Sequence, residues 1–167
     1  MQHEDILLTL GEIAVTLAAL SGVAGVLGSR SGQTPLSDLE ILLLRNVALI
    51  GMGVAAFALL PLAFRGSPSE ASSALRVCSA VAALFWLGGY VLTLLRVLAA
   101  LRSRELSRGT FVLGLAFNAT AVLLLAWNVL TPTQESPRRY VLALMSVLAI
   151  AGINFTITVL RPRPPAA

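Results

Sequence analysis

The sequence contains no lysine, a single cysteine and a single histidine, and only 12% of its residues are charged. Without a lysine, the chain cannot form a Schiff base with retinal or pyridoxal phosphate. One cysteine, Cys78, and one histidine, His3, exclude a disulfide framework and a Cys/His metal cluster. We therefore expect neither a bound metal nor a cofactor.

Common catalytic motifs are also missing. The sequence has no HExxH, no Gly-x-Ser-x-Gly and no phosphate-binding Gly-Lys-Ser/Thr loop. Glu12 is the only acid well inside an apolar stretch, so no pair of carboxylates is available there for general acid–base chemistry. We expect that the chain is not an enzyme and has no catalytic residue.

Long apolar stretches dominate what is present. Hydrophobic residues make up 57% of the chain and the mean hydropathy is +0.86, values outside the soluble class. Crossing about 30 Å of hydrocarbon takes roughly 20 apolar residues in a helix. Five stretches qualify: Ile6–Gly28, Ile41–Phe64, Leu75–Leu98, Thr110–Leu130 and Tyr140–Leu160. The sequence predicts an all-α fold, a polytopic transmembrane helical bundle with five transmembrane helices.

The connections between these stretches are short and polar, so we expect one integral membrane domain over residues 1–160. Its helices should run over about 6–28, 38–64, 68–100, 110–130 and 137–160. Ser37 and Glu40 have the spacing of a capping box that opens the second helix. Residues 161–167 are rich in arginine and proline and are predicted to form a flexible tail, because proline cannot continue a helix.

The placement of arginine predicts an orientation. Eight of the twelve arginines lie on one side: Arg30, Arg45, Arg96, Arg102, Arg104, Arg108, Arg161 and Arg163. The richer side should be cytoplasmic, which puts the N-terminus outside and the C-terminus inside the cell (plasma) membrane. Arg102, Arg104 and Arg108 either bind anionic lipid head groups or act only as a topology signal.

The first helix has two special faces. Asp5, Thr9, Glu12 and Thr16 share one face at helical spacing. Small residues that allow another helix to approach lie opposite: Gly11, Ala14, Ala18, Ser21, Gly22 and Gly25. A carboxylate at depth costs several kcal/mol unless it is paired, hydrated or protonated. Glu12 is therefore either an interfacial acid near the helix end, or a residue that faces the bundle interior or a subunit axis.

Few other polar residues lie inside the apolar stretches. The candidates for a path or cavity are Glu12, Thr16, Asn46, Thr93, Asn118, Asn128 and Asn154. Under the predicted topology Glu12 and Asn128 belong to the outer half of the membrane, and Asn46, Thr93, Asn118 and Asn154 to the inner half. The asparagines either bond between helices, at about 0.6 kcal/mol each, or line a hydrated path. Trp127 and Tyr140 are predicted to be interfacial anchors.

Two functions fit these features. The first is a homo-oligomeric channel or transporter-like protein for a small solute or cation, in which symmetry would multiply Glu12 into an acidic ring that favours cations. The alternative is a non-catalytic accessory or scaffolding protein that binds other transmembrane helices. The expected partners are the lipid bilayer and further copies or other membrane proteins. Nucleic acid is not expected, because the arginines lie at the ends of apolar stretches.

Overall fold

A computed structural model describes residues 2–30, 36–64, 68–102, 108–131, 133 and 135–160. These residues form five helices: α1 Gln2–Arg30, α2 Asp38–Ala63, α3 Pro68–Arg102, α4 Arg108–Leu130 and α5 Ser136–Leu160. Each is long and apolar enough to cross a membrane, and no strand occurs in this part of the chain. The prediction of an all-α bundle with five membrane-spanning helices is confirmed. The predicted flexible tail, 161–167, lies outside the described residues.

The capping box predicted for the second helix is present. The Glu40 backbone N–H donates to Ser37 Oγ at 3.3 Å, and the Ser37 backbone N–H donates to Glu40 Oε2 at 2.8 Å. Two of the N–H groups that a helix start leaves unbonded are thereby satisfied. The bonds also explain how the Glu40 carboxylate can lie buried at the start of a membrane helix.

The helices pack in a defined order. α1 lies along α2, α2 lies beside α5, α4 packs on α5, and α3 packs mainly on α4. The largest fully buried side chains come mainly from α2, α4 and α5, and they include Val54, Leu125 and Leu144. Many large apolar side chains point outward, among them Leu84, Leu92 and Leu123. Such an apolar surface is suited to contact with hydrocarbon. The helical backbone is suited to it as well, because a helix satisfies its N–H and C=O groups internally.

The contact between α1 and α2 is very close at Gly51. A Cβ on Gly51 would lie 2.5 Å from the Ala14 carbonyl oxygen and 2.9 Å from the Ala18 Cβ. Elsewhere on the small face of α1, a Cβ on Gly11 would be 3.9 Å from the Ala58 Cβ, an ordinary contact. The small residues of α1 therefore let two backbones meet, as small-residue faces do in membranes.

Of the remaining predicted packing residues of α1, two contact the bundle and one does not. Ser21 is buried and its hydroxyl donates to the Ala18 carbonyl at 2.7 Å, and a Cβ on Gly25 would lie 3.9 Å from Leu44 Cδ1. Gly22 is exposed, and beyond its own helix backbone no described atom lies within 4 Å of the position of its Cβ. Within the bundle the expected contact at Gly22 is wrong, and a contact with another chain there stays a prediction.

A proline in α2 leaves one backbone carbonyl without its usual donor, and a side chain of α5 bonds to that carbonyl. An α-helical residue normally donates its N–H to the carbonyl four residues earlier, but Pro61 has no N–H to give to Phe57. The Tyr140 hydroxyl takes over, donating to the Phe57 carbonyl oxygen at 2.7 Å from a fully buried position. The prediction that Tyr140 is an interfacial anchor is therefore wrong. Trp127 is exposed, and the Arg139 guanidinium lies 5.0 Å from the centre of its ring.

Candidate functional site

A cavity of about 560 Å³ lies between α2, α3, α4 and α5. Its volume falls within the range of roughly 300 to 1,000 Å³ that is typical of small-molecule sites. Four of the seven predicted path residues line it, one from each helix: Asn46, Thr93, Asn118 and Asn154. These are the four that the sequence assigns to the inner half of the membrane.

The asparagines of the cavity leave hydrogen-bonding capacity unused. Asn118 donates from Nδ2 to the Gly114 carbonyl of its own helix at 3.3 Å. Within the described part of the chain, the side chains of Asn46 and Asn154 make no hydrogen bond, and none of the three amides bonds to another helix. The interhelical bonding considered for these residues is thus not formed, whereas an amide left unbonded in an apolar medium is costly. The three partly exposed amides are available to water or to a solute in the cavity.

The charge of the cavity comes from Arg45, which the sequence presents only as a topology signal. Arg45 is exposed and lines the cavity, seven residues into α2, or about 10 Å from its start. It makes no ion pair with any described residue, and none of the described residues that line the cavity is acidic. The cavity therefore carries a positive charge that the described protein does not neutralise.

Aromatic rings form the other end of the cavity. Phe85 and Trp86 line it and pack edge to face with ring centres 4.9 Å apart. Phe57 packs edge to face on Phe85 at 5.4 Å and tilted against Trp86 at 6.0 Å. Gly53 makes room for them, because a Cβ there would lie 2.7 Å from Trp86 Cη2. Phe57 lies further along α2 than the lining residues of that helix, so the rings close the bundle on the side remote from Arg45.

Thr93 shows how the hydroxyls of the lining are held. Its Oγ1 donates within α3, to the carbonyl oxygens of Gly89 at 3.0 Å and Tyr90 at 3.1 Å. The hydroxyl oxygen can still accept a hydrogen bond, since a hydroxyl has two lone pairs. Thr93 therefore offers an acceptor to the cavity, whereas the amides offer donors as well.

Glu12 and Thr16 lie elsewhere. Both are exposed on the outer face of α1, away from the lining of the cavity. The Thr16 hydroxyl donates to the Glu12 carbonyl oxygen at 2.8 Å, and the Glu12 carboxylate bonds to no described residue. The expectation that Glu12 faces the bundle interior is wrong, and its placement at a subunit axis stays a prediction.

Asn128 is fully buried and has a structural contact instead of a place in the cavity. Its Nδ2 donates to the Ser136 carbonyl at 3.0 Å, which ties the end of α4 to the start of α5. Its Oδ1 has no hydrogen-bond partner among the described residues. Asn128 thus holds the turn between two helices, as the interhelical interpretation of the asparagines predicts.

The predicted lipid head-group residues are only partly described. Arg108 is exposed at the start of α4. The backbone of Arg102 ends α3, whereas Arg104 lies outside the described residues. In the described ranges, no three His, Cys, Asp or Glu side chains come together as metal ligands.

Comparison with protein families, characterised proteins and solved structures finds no match to this chain. Its function must therefore be inferred from the chemistry of the cavity and of the exposed helix faces.

Proposed function

We propose that this integral membrane protein is transporter-like and binds a small solute in the cavity between α2, α3, α4 and α5. The observation that carries the proposal is the convergence of three asparagine side chains, from three helices, on one cavity inside an otherwise apolar bundle. Buried polar groups are normally hydrogen-bonded. A cavity that holds amides with unused bonding capacity is suited to a solute that supplies the missing partners.

The channel formed by an acidic ring is less well supported. A homo-oligomer would have to bring Glu12 of several copies to a common axis through the outer face of α1. The exposed stripe of Asp5, Thr9, Glu12 and Thr16 is the feature that favours such an interface. The same face, together with exposed Gly22, favours the accessory role, in which α1 binds a helix of another membrane protein.

A flux experiment separates the three functions. We expect liposomes that contain the wild-type protein to reswell faster than empty liposomes after osmotic shock with at least one of three solutes. These are glycerol, potassium thiocyanate, whose anion crosses the bilayer unaided, and potassium butanesulfonate with valinomycin, which carries the potassium. Replacing Asn118 by leucine should slow this reswelling at least tenfold, because it removes hydrogen-bonding groups and fills part of the cavity. Stopped-flow light scattering measures the rate, with Glu12→Gln as the control variant outside the cavity.

Each outcome of the flux experiment assigns the protein differently. Loss of flux in Asn118→Leu with normal flux in Glu12→Gln supports transport through the cavity. The reverse pattern, with faster reswelling in potassium thiocyanate alone, supports the acidic ring and contradicts our proposal. Reswelling no faster than in empty liposomes contradicts transport of these solutes and supports the accessory role.

We also propose that the mouth of the cavity faces the cytoplasm, since Arg45 lies toward the arginine-rich ends of the helices. In intact cells, a cysteine introduced at Ser103, in a Cys78→Ser background, should resist a thiol reagent that cannot cross the membrane. The same cysteine should react after the cells are permeabilised. Equal labelling before and after permeabilisation would reverse the proposed orientation.

A further inference from the structure

We infer that the cavity binds an anionic amphiphile, with its charged head group at Arg45 and its apolar body against Phe85 and Trp86. The inference rests on the proposed function in so far as it concerns the same cavity. It adds the chemical class of the ligand and the side from which the ligand arrives.

The sign of the ligand's charge follows from the charge of the residues that line the cavity. Arg45 is a guanidinium with no carboxylate partner among the described residues, and every other described residue of the lining is uncharged. An arginine fork binds carboxylate and phosphate oxygens through parallel N–H donors. An anion at Arg45 would neutralise this exposed charge at the edge of the cavity, whereas a cation would be repelled by it.

The apolar part of the ligand follows from a gradient along the cavity. Arg45, Thr110 and Asn154 lie within about 10 Å of the nearest ends of their helices, at one end of the bundle. Trp86 and Val147 lie about 20 Å or more from the corresponding ends of α3 and α5. The charged and polar groups therefore lie toward one end of the cavity, among apolar side chains such as Phe111, and aromatic and aliphatic groups form the other end, as in an amphiphile along its length.

The cavity also opens sideways, between α2 and α3. Leu49 on α2 and Leu92 on α3 both line it, yet they are 54% and 79% exposed on the outer surface. A side chain that both lines a cavity and is widely exposed lies at its rim. Phe85, 49% exposed, continues this rim along α3. In a membrane the rim faces hydrocarbon, so a molecule already dissolved in the bilayer can reach the cavity without passing through water.

The protein carries a built-in reporter for this binding. It has two tryptophans, of which Trp86 is 7% exposed and lines the cavity, and Trp127 is 56% exposed. The variant Trp127→Phe leaves Trp86 as the single fluorophore, shielded from bulk lipid. Bromine atoms quench tryptophan only at short range, so a brominated ligand that quenches Trp86 strongly must be close to the cavity.

The experiment titrates this single-tryptophan protein in phosphatidylcholine liposomes with dibromostearate, with its methyl ester as the matched neutral probe, and with dibrominated phosphatidylglycerol. We expect saturable quenching by at least one of the two anionic probes, and at least tenfold weaker apparent affinity for the ester. Arg45→Gln should reduce the affinity for the anions to that for the ester, whereas Arg45→Lys should keep the preference for anions. Arg76→Gln, which removes an exposed arginine outside the lining, serves as the control and should change nothing.

The two anionic probes distinguish the sources of the ligand. Quenching by dibromostearate alone assigns a single-chain acid, and quenching by phosphatidylglycerol alone assigns a phospholipid head group. No saturable quenching by either anion would overturn the inference. So would an acid that quenches no more tightly than its ester, or an anion affinity unchanged in Arg45→Gln. Binding without flux would reject the transport proposal and keep this inference, and flux of glycerol without binding of either anion would do the opposite.

Discussion

Replacing Gly51 by alanine is expected to destabilise the contact between α1 and α2 by about 3 kcal/mol, at the upper end of the cost of overpacking. The added methyl group would lie 2.5 Å from the Ala14 carbonyl oxygen and 2.9 Å from the Ala18 Cβ. A backbone oxygen cannot turn away as a flexible side chain can, so the two helices must move apart. The loss can be measured as a lower midpoint of unfolding by sodium dodecyl sulfate, followed by circular dichroism.

Gly22→Ala is the matched control for this substitution. It makes the same chemical change in the middle of a helix, where alanine is favoured over glycine by roughly 1 kcal/mol. Because no described atom beyond its own helix backbone lies within 4 Å of a Cβ at Gly22, the unfolding midpoint of this variant should be unchanged or raised. Equal midpoints for the two variants would mean that α1 does not approach α2 as closely as described.

Removing the Tyr140 hydroxyl is the second substitution with a large expected effect. Tyr140→Phe keeps the ring in its buried position but leaves the Phe57 carbonyl without the donor that replaces the missing N–H of Pro61. Leaving a buried carbonyl unsatisfied costs about 1 to 3 kcal/mol. The same denaturation assay should record a loss of this size.

A double-mutant cycle tests whether Pro61 is the reason for this bond. Alanine at position 61 restores a backbone N–H that can donate to the Phe57 carbonyl. In the Pro61→Ala background, Tyr140→Phe should therefore cost less than half of its cost in the wild type. Equal costs in both backgrounds would show that the hydroxyl stabilises the bundle independently of the proline.

The helices and their ends follow from the sequence because they depend on local information. Apolar length predicts the five spans, and the spacing of Ser37 and Glu40 predicts a cap that the structure contains. The grouping of Asn46, Thr93, Asn118 and Asn154 in one half of the membrane also follows, because depth depends only on position along a helix of known direction. The sequence could thus restrict the candidate site to one half of the bundle before the packing was known.

The contacts between helices do not follow, because they depend on which faces meet. Nothing local to Gly51 says that α1 lies against it, and the more numerous small residues of α1 draw attention to Gly22 instead. The burial of Tyr140 and its hydrogen bond depend on a carbonyl 83 residues earlier in the chain, which a proline leaves without a donor. Glu12 and Asn128 occupy the same predicted layer, yet one is exposed and the other fully buried, because rotation about the helix axis is set by neighbours.

The cavity between α2, α3, α4 and α5 exists only while the four helices are assembled, and this couples its occupancy to unfolding. A molecule that binds the folded bundle and not the separated helices adds RT ln(1 + [L]/Kd) to the free energy of unfolding, about 2.7 kcal/mol at a hundredfold excess over Kd. A rise in melting temperature can thus identify an occupant without any assumption about transport. Candidate molecules can be ranked by this rise, with Asn118→Leu, which fills part of the cavity, as the reference variant.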